Sequence, residues 1–124
     1  MDKKELQERM MSFAVRIVKM ADAMPQTLGS QTIARQIVRS GTSPSANYRA
    51  ACIAKSDKDF LNKLKMVEEE LDETCHWLEL AMRCESLKPS RLEPLYQECK
   101  ELLSIIVKSI QTVKLRLNTD KIVK

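Results

Sequence analysis

The sequence predicts an all-α protein whose four helices form an antiparallel up-down-up-down four-helix bundle. Its 124 residues include only two glycines and four prolines, which leaves few turns. Aromatic residues are scarce, so Leu, Ile, Val, Met and Ala must supply the core, with little signal for strands. Apolar residues recur every three or four positions in four stretches with short connections, which favours antiparallel neighbours. We expect one domain over residues 1–117 and a frayed tail over residues 118–124.

The first two helices are separated by a segment that contains Pro25 and Gly29. Helix 1 is predicted to end at Pro25, because proline interrupts a helix. Helix 2 is predicted to begin near Ser30, whose hydroxyl suits an N-cap. The apolar positions are Leu6, Met10, Phe13, Ile17, Ala21 and Met24 in helix 1, and Ile33, Ile37, Tyr48 and Ala51 in helix 2.

The stretch RSGTSPSANYRAA, from Arg39 to Ala51, contains both a glycine and a proline. The spacing that starts at Ile33 places Gly41 and Pro44 on the core side of helix 2. This continuity predicts that the helix runs through the stretch and bends at Gly41 and Pro44, since Pro44 removes one backbone hydrogen bond. A break into two shorter helices is the alternative.

Helices 3 and 4 each begin with a capping signal. Ser56 with Asp59, and Ser90 with Glu93, have the spacing of a capping box. Pro94 is predicted to fall in the first turn of helix 4, where its missing N–H costs little. The stripe of helix 3 is Phe60, Leu64, Val67, Leu71, Thr74, Leu78 and Ala81. That of helix 4 is Leu92, Leu95, Cys99, Leu102, Ile106, Ile110 (or Ser109), Val113 and Leu117.

Charge is distributed unevenly along the chain, although the net charge is only +4. Residues 1–55 contain nine Lys and Arg against four Asp and Glu, residues 56–101 seven against twelve, and residues 102–124 five against one. Such asymmetry can mark a surface that binds polyanions. It can equally allow the acidic helix to pair with the basic ones, within one bundle or between subunits.

Basic side chains on helices 2 and 4 are the candidate nucleic-acid contacts. At 100° per residue, Arg35, Arg39 and Arg49 fall on one side of helix 2, and Lys55 follows nearby. The alternatives are a solvated face or a partner for the acidic helix 3. The complete set of candidates is Arg35, Arg39, Arg49, Lys55, Lys108, Lys114 and Arg116.

Helix 1 has more apolar surface than one bundle needs. Its polar residues occupy a limited arc, and Met11, Val15 and Val18 extend the apolar part beyond the core stripe. A second apolar face of this kind favours contact with another subunit. The alternative is a helix that is deeply buried within its own bundle.

The sequence contains no pattern that supports catalysis or metal binding. Glu73 and His76 have the spacing of a di-iron motif, but His76 is the only histidine and a di-iron site needs two such motifs. No Gly-rich phosphate loop is present. We predict no catalytic residues, no cofactor, no metal and no membrane span, and we read the four cysteines as reduced thiols in a cytoplasmic protein.

The segment IVRSGTSPSANYRAACIAKSDKDFLNKLKMVEEELDETCHWLEL, residues 37–80, resembles a known family. This is the four-helix-bundle family encoded by intervening sequences of bacterial 23S ribosomal RNA genes, often labelled S23 ribosomal protein. This sequence has Tyr48-Arg49-Ala50 where many members have Ile-Ala-Glu-Gly, which removes an acid and adds a cation. The shared residues are Arg39, Ser40, Ser43, Ala46, Asn47, Phe60, Leu61, Lys63, Leu64, Glu70 to Thr74 and Trp77 to Leu80.

The resemblance implies a bundle that assembles as a homopentamer and has no catalytic residues. A related branch, the accessory proteins of diversity-generating retroelements, forms basic pentamers that bind nucleic acid and a reverse transcriptase. We therefore expect a non-enzymatic oligomer that binds RNA or DNA weakly and without sequence preference, through the cationic sides of helices 2 and 4. A nucleic-acid-processing protein is a further expected partner. The alternative is a protein-interaction scaffold with no nucleic-acid role.

Overall fold

The computed structural model describes the backbone of residues 1–123 and the side chains of residues 1–119. It contains four helices, α1 (Lys3–Asp22), α2 (Leu28–Cys52), α3 (Asp57–Arg83) and α4 (Pro89–Val123), and no strand within residues 1–123. The all-α prediction is therefore confirmed. The backbone of α4 is helical past position 118, where we expect a frayed tail. Lys124 and the side chains from position 120 onward lie outside the described residues, so the boundary at 117 stays a prediction.

Consecutive helices run antiparallel, as contacts along their lengths show. In the α2–α3 pair, Arg39 contacts Glu73 and Asn47 contacts Glu70. The residue number therefore increases along α2 in the direction in which it decreases along α3. The α3–α4 pair behaves in the same way, because Cys75 meets Cys99 whereas Asp57 meets Arg116. Helix α1 packs mainly on α2 and more lightly on α4.

The starts of α1 and α3 have the caps that their sequences favour. The side chain of Asp2 accepts a hydrogen bond from the backbone N–H of Glu5 at 2.8 Å. Ser56 accepts one from Asp59 at 3.1 Å, which confirms the predicted start of α3. Each cap satisfies one of the backbone donors that a helix start leaves without an intrahelical partner.

The predicted starts of the other two helices are displaced by a few residues. Thr27 caps α2 by accepting from the N–H of Ser30 at 3.3 Å, so Ser30 lies inside the helix. The buried Ser30 hydroxyl instead bonds to that of Ser86 at 3.0 Å. Helix α4 begins at Pro89, a favoured residue for the first helical position, so Ser90 is not its cap. Pro94 consequently lies beyond the first turn.

The core consists of the stripes that the sequence pattern predicts. Every stripe position of α3 after Phe60 is buried, and so is every position of α4 before Leu117, with Ile110 rather than Ser109 facing inward. Burial of these apolar side chains supplies the main free energy that holds the helices together. The largest fully buried side chains are Phe13, Met10, Ile17, Ile37, Leu64, Leu71, Leu78, Leu92, Leu102, Ile106, Val67 and Val113.

Helix α2 passes without interruption through the glycine- and proline-containing stretch. The break into two helices is therefore wrong, whereas the predicted bend at Gly41 and Pro44 stays a prediction. Hydroxyl groups supply local bonds here: Thr42 donates to the carbonyl of Val38 at 2.6 Å, and Ser43 donates to that of Arg39 at 2.7 Å. Both hydroxyls thus bond back to the carbonyl four residues earlier, as Ser and Thr do inside helices.

Gly41 allows α1 and α2 to approach closely. A Cβ atom built at Gly41 would lie 2.9 Å from Cγ2 and 3.0 Å from Cγ1 of Ile17, closer than carbon atoms pack. Ile17 is itself fully buried. Gly41 is therefore required by the distance between two helices rather than by an unusual backbone angle.

Charged residues join α1 to α4. The Arg9 guanidinium donates to both carboxylate oxygens of Glu98, at 2.8 and 2.6 Å, and to Glu101 at 3.1 Å. The hydrogen bonds from Arg9 hold the pKa of Glu98 below its ordinary value of 4.5. Part of the charge asymmetry in the sequence therefore serves pairing within one bundle.

Candidate nucleic-acid interface

Arg39 of the predicted row on α2 is directed toward α3. Its guanidinium forms an ion pair with Glu73, and it also donates to Gln36 at 2.8 Å. Glu73 accepts a second bond from the indole N–H of Trp77 at 2.9 Å, and these two donors, with Trp77 the stronger, lower the pKa of Glu73. The fold thus uses Arg39 to join the basic helix to the acidic one.

The other two arginines of the row lie beside α1 instead. Arg35 borders a depression that also contacts Asp22, and Arg49 borders another that contacts Lys4 and Glu8. Both arginines are exposed, and no ion pair within the described residues involves either of them. The predicted single row is therefore split between two sides of α2.

Three of the other candidate cations meet at one end of the bundle. Lys108 and Arg116 of α4 line a cleft of about 450 Å³. Arg116 also lines an adjoining depression of about 340 Å³ together with Lys55, which lies between α2 and α3. Lys3 of α1, which sequence reasoning missed, borders both. Antiparallel packing explains this meeting, because it places the start of α1 and α3, the end of α2 and the second half of α4 together.

Among the residues that line these two depressions, one is acidic. Asp57 lines the smaller depression, and its carboxylate accepts a bond from Arg116 at 3.1 Å. Lys3, Lys55 and Lys108 form no ion pair within the described residues. We name Lys3, Lys55, Lys108 and Arg116 the basic end. It carries a surplus of positive charge that is available to a phosphate group.

Phe60 also belongs to this end of the molecule. It is half-buried against the core and lines both depressions. The ammonium group of Lys3 lies over its ring, 4.7 Å from the centroid. The sequence pattern assigns Phe60 only to the core stripe, because its position at the first turn of α3 becomes a surface feature only after the four helix ends are assembled.

Lys114 borders neither of the two depressions at the basic end. It lies on α4 and is exposed to solvent. Its neighbour two residues on, Arg116, points to the basic end, and residues two apart in a helix lie on different sides. The structure therefore separates Lys114 from the other candidates of α4.

The predicted interface residues of α1 form an apolar groove against α2. Met11, Val15 and Val18 remain 48, 44 and 39% exposed, so they are not buried within a single bundle. The groove has a volume of about 380 Å³, and Ala14, Lys19, Thr42 and Ser45 complete its lining. An exposed apolar surface of this kind is typical of a contact with another protein.

No disulfide bond joins any of the four cysteines, all of which lie in the described part of the chain. Cys75 of α3 and Cys99 of α4 place their Sγ atoms 3.1 Å apart, and the Cys99 thiol donates to the carbonyl of Leu71 at 3.2 Å. The contact with Cys75 and burial together raise the pKa of Cys99.

In the described part of the chain, no three His, Cys, Asp or Glu side chains lie close enough to hold a metal ion. None of the helices, as far as they are described, is long and apolar enough to span a membrane.

These features define a class: a small four-helix protein with a basic end and an exposed apolar groove. Residues 2–108 match the family of 23S rRNA-intervening sequence proteins, and the chain belongs to that family. It is also similar to the crystal structure of a protein of unknown function from the S23 ribosomal protein family of Bacteroides thetaiotaomicron. The two are 33% identical, with a TM-score of 0.82 over 90% of this chain and 99% of that one. None of the curated proteins matches this sequence. The resemblance seen in residues 37–80 is thereby confirmed.

Proposed function

We propose that this protein is a non-enzymatic oligomer that binds RNA or DNA weakly and without reading sequence. The observation that carries the proposal is the basic end, where Lys3, Lys55, Lys108 and Arg116 converge from two helices and one connection. These cations are far apart in the sequence but adjacent in space. A cluster of cations can contact several of the regularly spaced phosphates of a nucleic-acid backbone. The proposed location is the cytoplasm, where the four cysteines would remain reduced.

Such binding is governed by phosphate contacts. Lysine and arginine side chains displace condensed counterions, so the affinity falls steeply with salt. Phosphate contacts position a protein on nucleic acid but do not select bases. Arg49 and Arg35, which lie beside α1 and form no ion pair within the described residues, extend the same function along the bundle.

Assembly would multiply these contacts. The groove at Met11, Val15 and Val18 is proposed as the subunit contact, and a homopentamer is the preferred assembly. Once one subunit has bound a long strand, the other subunits are held close to that strand, so their effective concentration at it is high. Weak basic ends would thereby act together on one nucleic acid.

The test is salt-dependent binding of a fluorescent oligonucleotide, followed by anisotropy between about 50 and about 200 mM salt. The double variant Lys55→Ala/Lys108→Ala removes two cations of the basic end that form no ion pair within the described residues. It should weaken binding equally on unrelated sequences and reduce the salt slope by about two units. The matched control is Lys88→Ala/Arg91→Ala, which removes the same charge from exposed residues at the opposite end of the bundle. Equal losses in both variants would contradict a role for the basic end.

A protein-interaction scaffold is the second candidate function. The observation that favours it is that Arg39 and Arg116 already have carboxylate partners within the bundle, whereas the apolar groove has none. The partner could then be a protein that processes nucleic acid. Absence of any salt-dependent binding to RNA or DNA, in a chain that still assembles, would favour this scaffold.

A further inference from the structure

The cleft at the basic end has a lining that differs from an ordinary charged surface. Its volume, about 450 Å³, lies in the range of about 300–1,000 Å³ that is typical of sites for small organic groups. Leu6, Tyr48, Ile105 and Val113 supply apolar surface inside it, and Lys3, Lys108 and Arg116 lie among them. A site for inorganic phosphate alone would need only the cations, so the apolar part indicates a ligand with an apolar, uncharged portion as well.

The position of Phe60 indicates what this portion is. Its ring borders both the cleft and the adjoining depression of about 340 Å³. The group over its face is the ammonium of Lys3, an exposed and flexible side chain rather than a core residue. The ring face is therefore open to a ligand once the lysine moves aside, and the released ammonium remains available to an anion beside the ring.

An aromatic ring face next to three cations is an arrangement that can bind a nucleotide whose base is unpaired. A base can stack on the ring, while its phosphates lie against Lys3, Lys108 and Arg116. Every base has a flat face, so such stacking does not require a particular sequence. In a duplex the bases are stacked on one another and cannot reach the ring.

We infer that the cleft receives an unpaired base against Phe60, so that the protein binds single-stranded nucleic acid in preference to duplex. The inference rests on the proposed function and names the class of nucleic acid for it. The second depression shares Lys3, Phe60 and Arg116 with the cleft and adds Lys55, so we assign the neighbouring phosphate to it.

The test compares three ligands of equal length on the full chain: an oligothymidylate of about 12 nucleotides, an abasic strand with the same phosphates, and a duplex. The chain should bind oligothymidylate about 5- to 150-fold more tightly than the abasic strand. Phe60→Leu keeps an apolar side chain but lacks the ring, and it should bring this ratio close to one without weakening binding to the abasic strand. Phe60→Tyr, which retains the ring, should preserve the ratio.

A different variant separates charge from stacking. Lys108→Ala should weaken binding to oligothymidylate and to the abasic strand by the same factor, leaving their ratio unchanged. Circular dichroism of each variant verifies that the helices are retained.

Failure of the base site and failure of the proposed nucleic-acid binding would give different results. Equal, salt-dependent affinity for all three ligands would overturn the base site and leave the proposed function intact. A ratio that survives Phe60→Leu would place base contacts elsewhere and also overturn it. No salt-dependent binding of any ligand would overturn the proposed function itself and the base site with it.

Discussion

Arg39 of α2 forms an ion pair with Glu73 of α3, and the same carboxylate accepts a hydrogen bond from Trp77. This contact joins α2, which contains three arginines and no acidic residue, to α3, the most acidic of the four helices. A guanidinium that already has a carboxylate partner has less to gain from a phosphate. Sequence position alone would have grouped Arg39 with Arg35 and Arg49.

Replacement of Arg39 should therefore affect stability more than binding. We expect Arg39→Ala to lower the free energy of unfolding by at most about 1 kcal/mol, since the pair is exposed to solvent, and to leave the salt slope of binding unchanged. Arg49→Ala should instead reduce that slope by about one unit. Denaturant titration and salt-dependent anisotropy on both variants measure the contrast. A larger loss of affinity in Arg39→Ala would mean that the ion pair opens on binding.

The close approach at Gly41 leads to a second prediction. Gly41→Ala should lower the free energy of unfolding by about 1–3 kcal/mol, because its Cβ would collide with the buried Ile17. Gly29→Ala is the matched control: nothing lies within 4 Å of its Cβ, so the same change should stabilise α2 by about 0.5–1 kcal/mol. Chemical denaturation measures both. If the two variants shifted in the same direction, the distance between α1 and α2 would not depend on Gly41.

The pair of Arg9 and Glu98 should make stability depend on pH. The pKa of Glu98 is lower in the folded chain than its ordinary value of 4.5, so the unfolded chain binds the proton more readily. The stabilisation is therefore complete above that ordinary value and is lost as the pH falls through the lower, folded pKa. Glu98→Gln should cost about 1.5 kcal/mol at neutral pH, and this cost should shrink as the pH drops below about 4.5.

Glu101 provides the control for that experiment. It also bonds to Arg9, but its side chain is 69% exposed whereas that of Glu98 is 16% exposed. Glu101→Gln should change the free energy of unfolding by less than about 0.5 kcal/mol at any pH. Urea titrations at neutral and acidic pH provide the measurement, and a cost of Glu98→Gln that did not change with pH would contradict the role of its charge.

The apolar groove on α1 leads to a prediction about assembly. Val15→Glu should convert the proposed oligomer to monomers of 14.2 kDa, because it would bury an unpaired carboxylate between subunits. Met66→Glu is the control, since Met66 of α3 is as exposed as Val15, at 44%, but lies outside the groove. Light scattering at micromolar concentration reports the mass. A monomeric unmodified chain would overturn the proposed assembly, and an intact Val15→Glu oligomer would place the contact elsewhere.

Apolar periodicity in the sequence was sufficient to predict the helices, their order and most of the core. Leu71 and Leu78 face inward because they continue a repeat of three and four residues, and such a repeat can bury only one side of a helix. The same apolar spacing correctly predicted that α2 continues through Pro44. The apolar residues Met11, Val15 and Val18 were likewise visible as an excess over what one bundle can bury.

Relations between helices depended on the tertiary structure. Whether Arg39 meets Glu73, and whether Lys3, Phe60 and Lys108 share one cleft, depends on how far each helix is rotated and shifted along its neighbour. Periodicity within one helix shows which side is apolar but does not specify which charged residue of another helix lies opposite. The choice of Thr27 rather than Ser30 as the N-cap of α2 has the same origin, because Ser30 bonds across the bundle to Ser86. Local pattern thus determined the elements, whereas packing between them decided the candidate site.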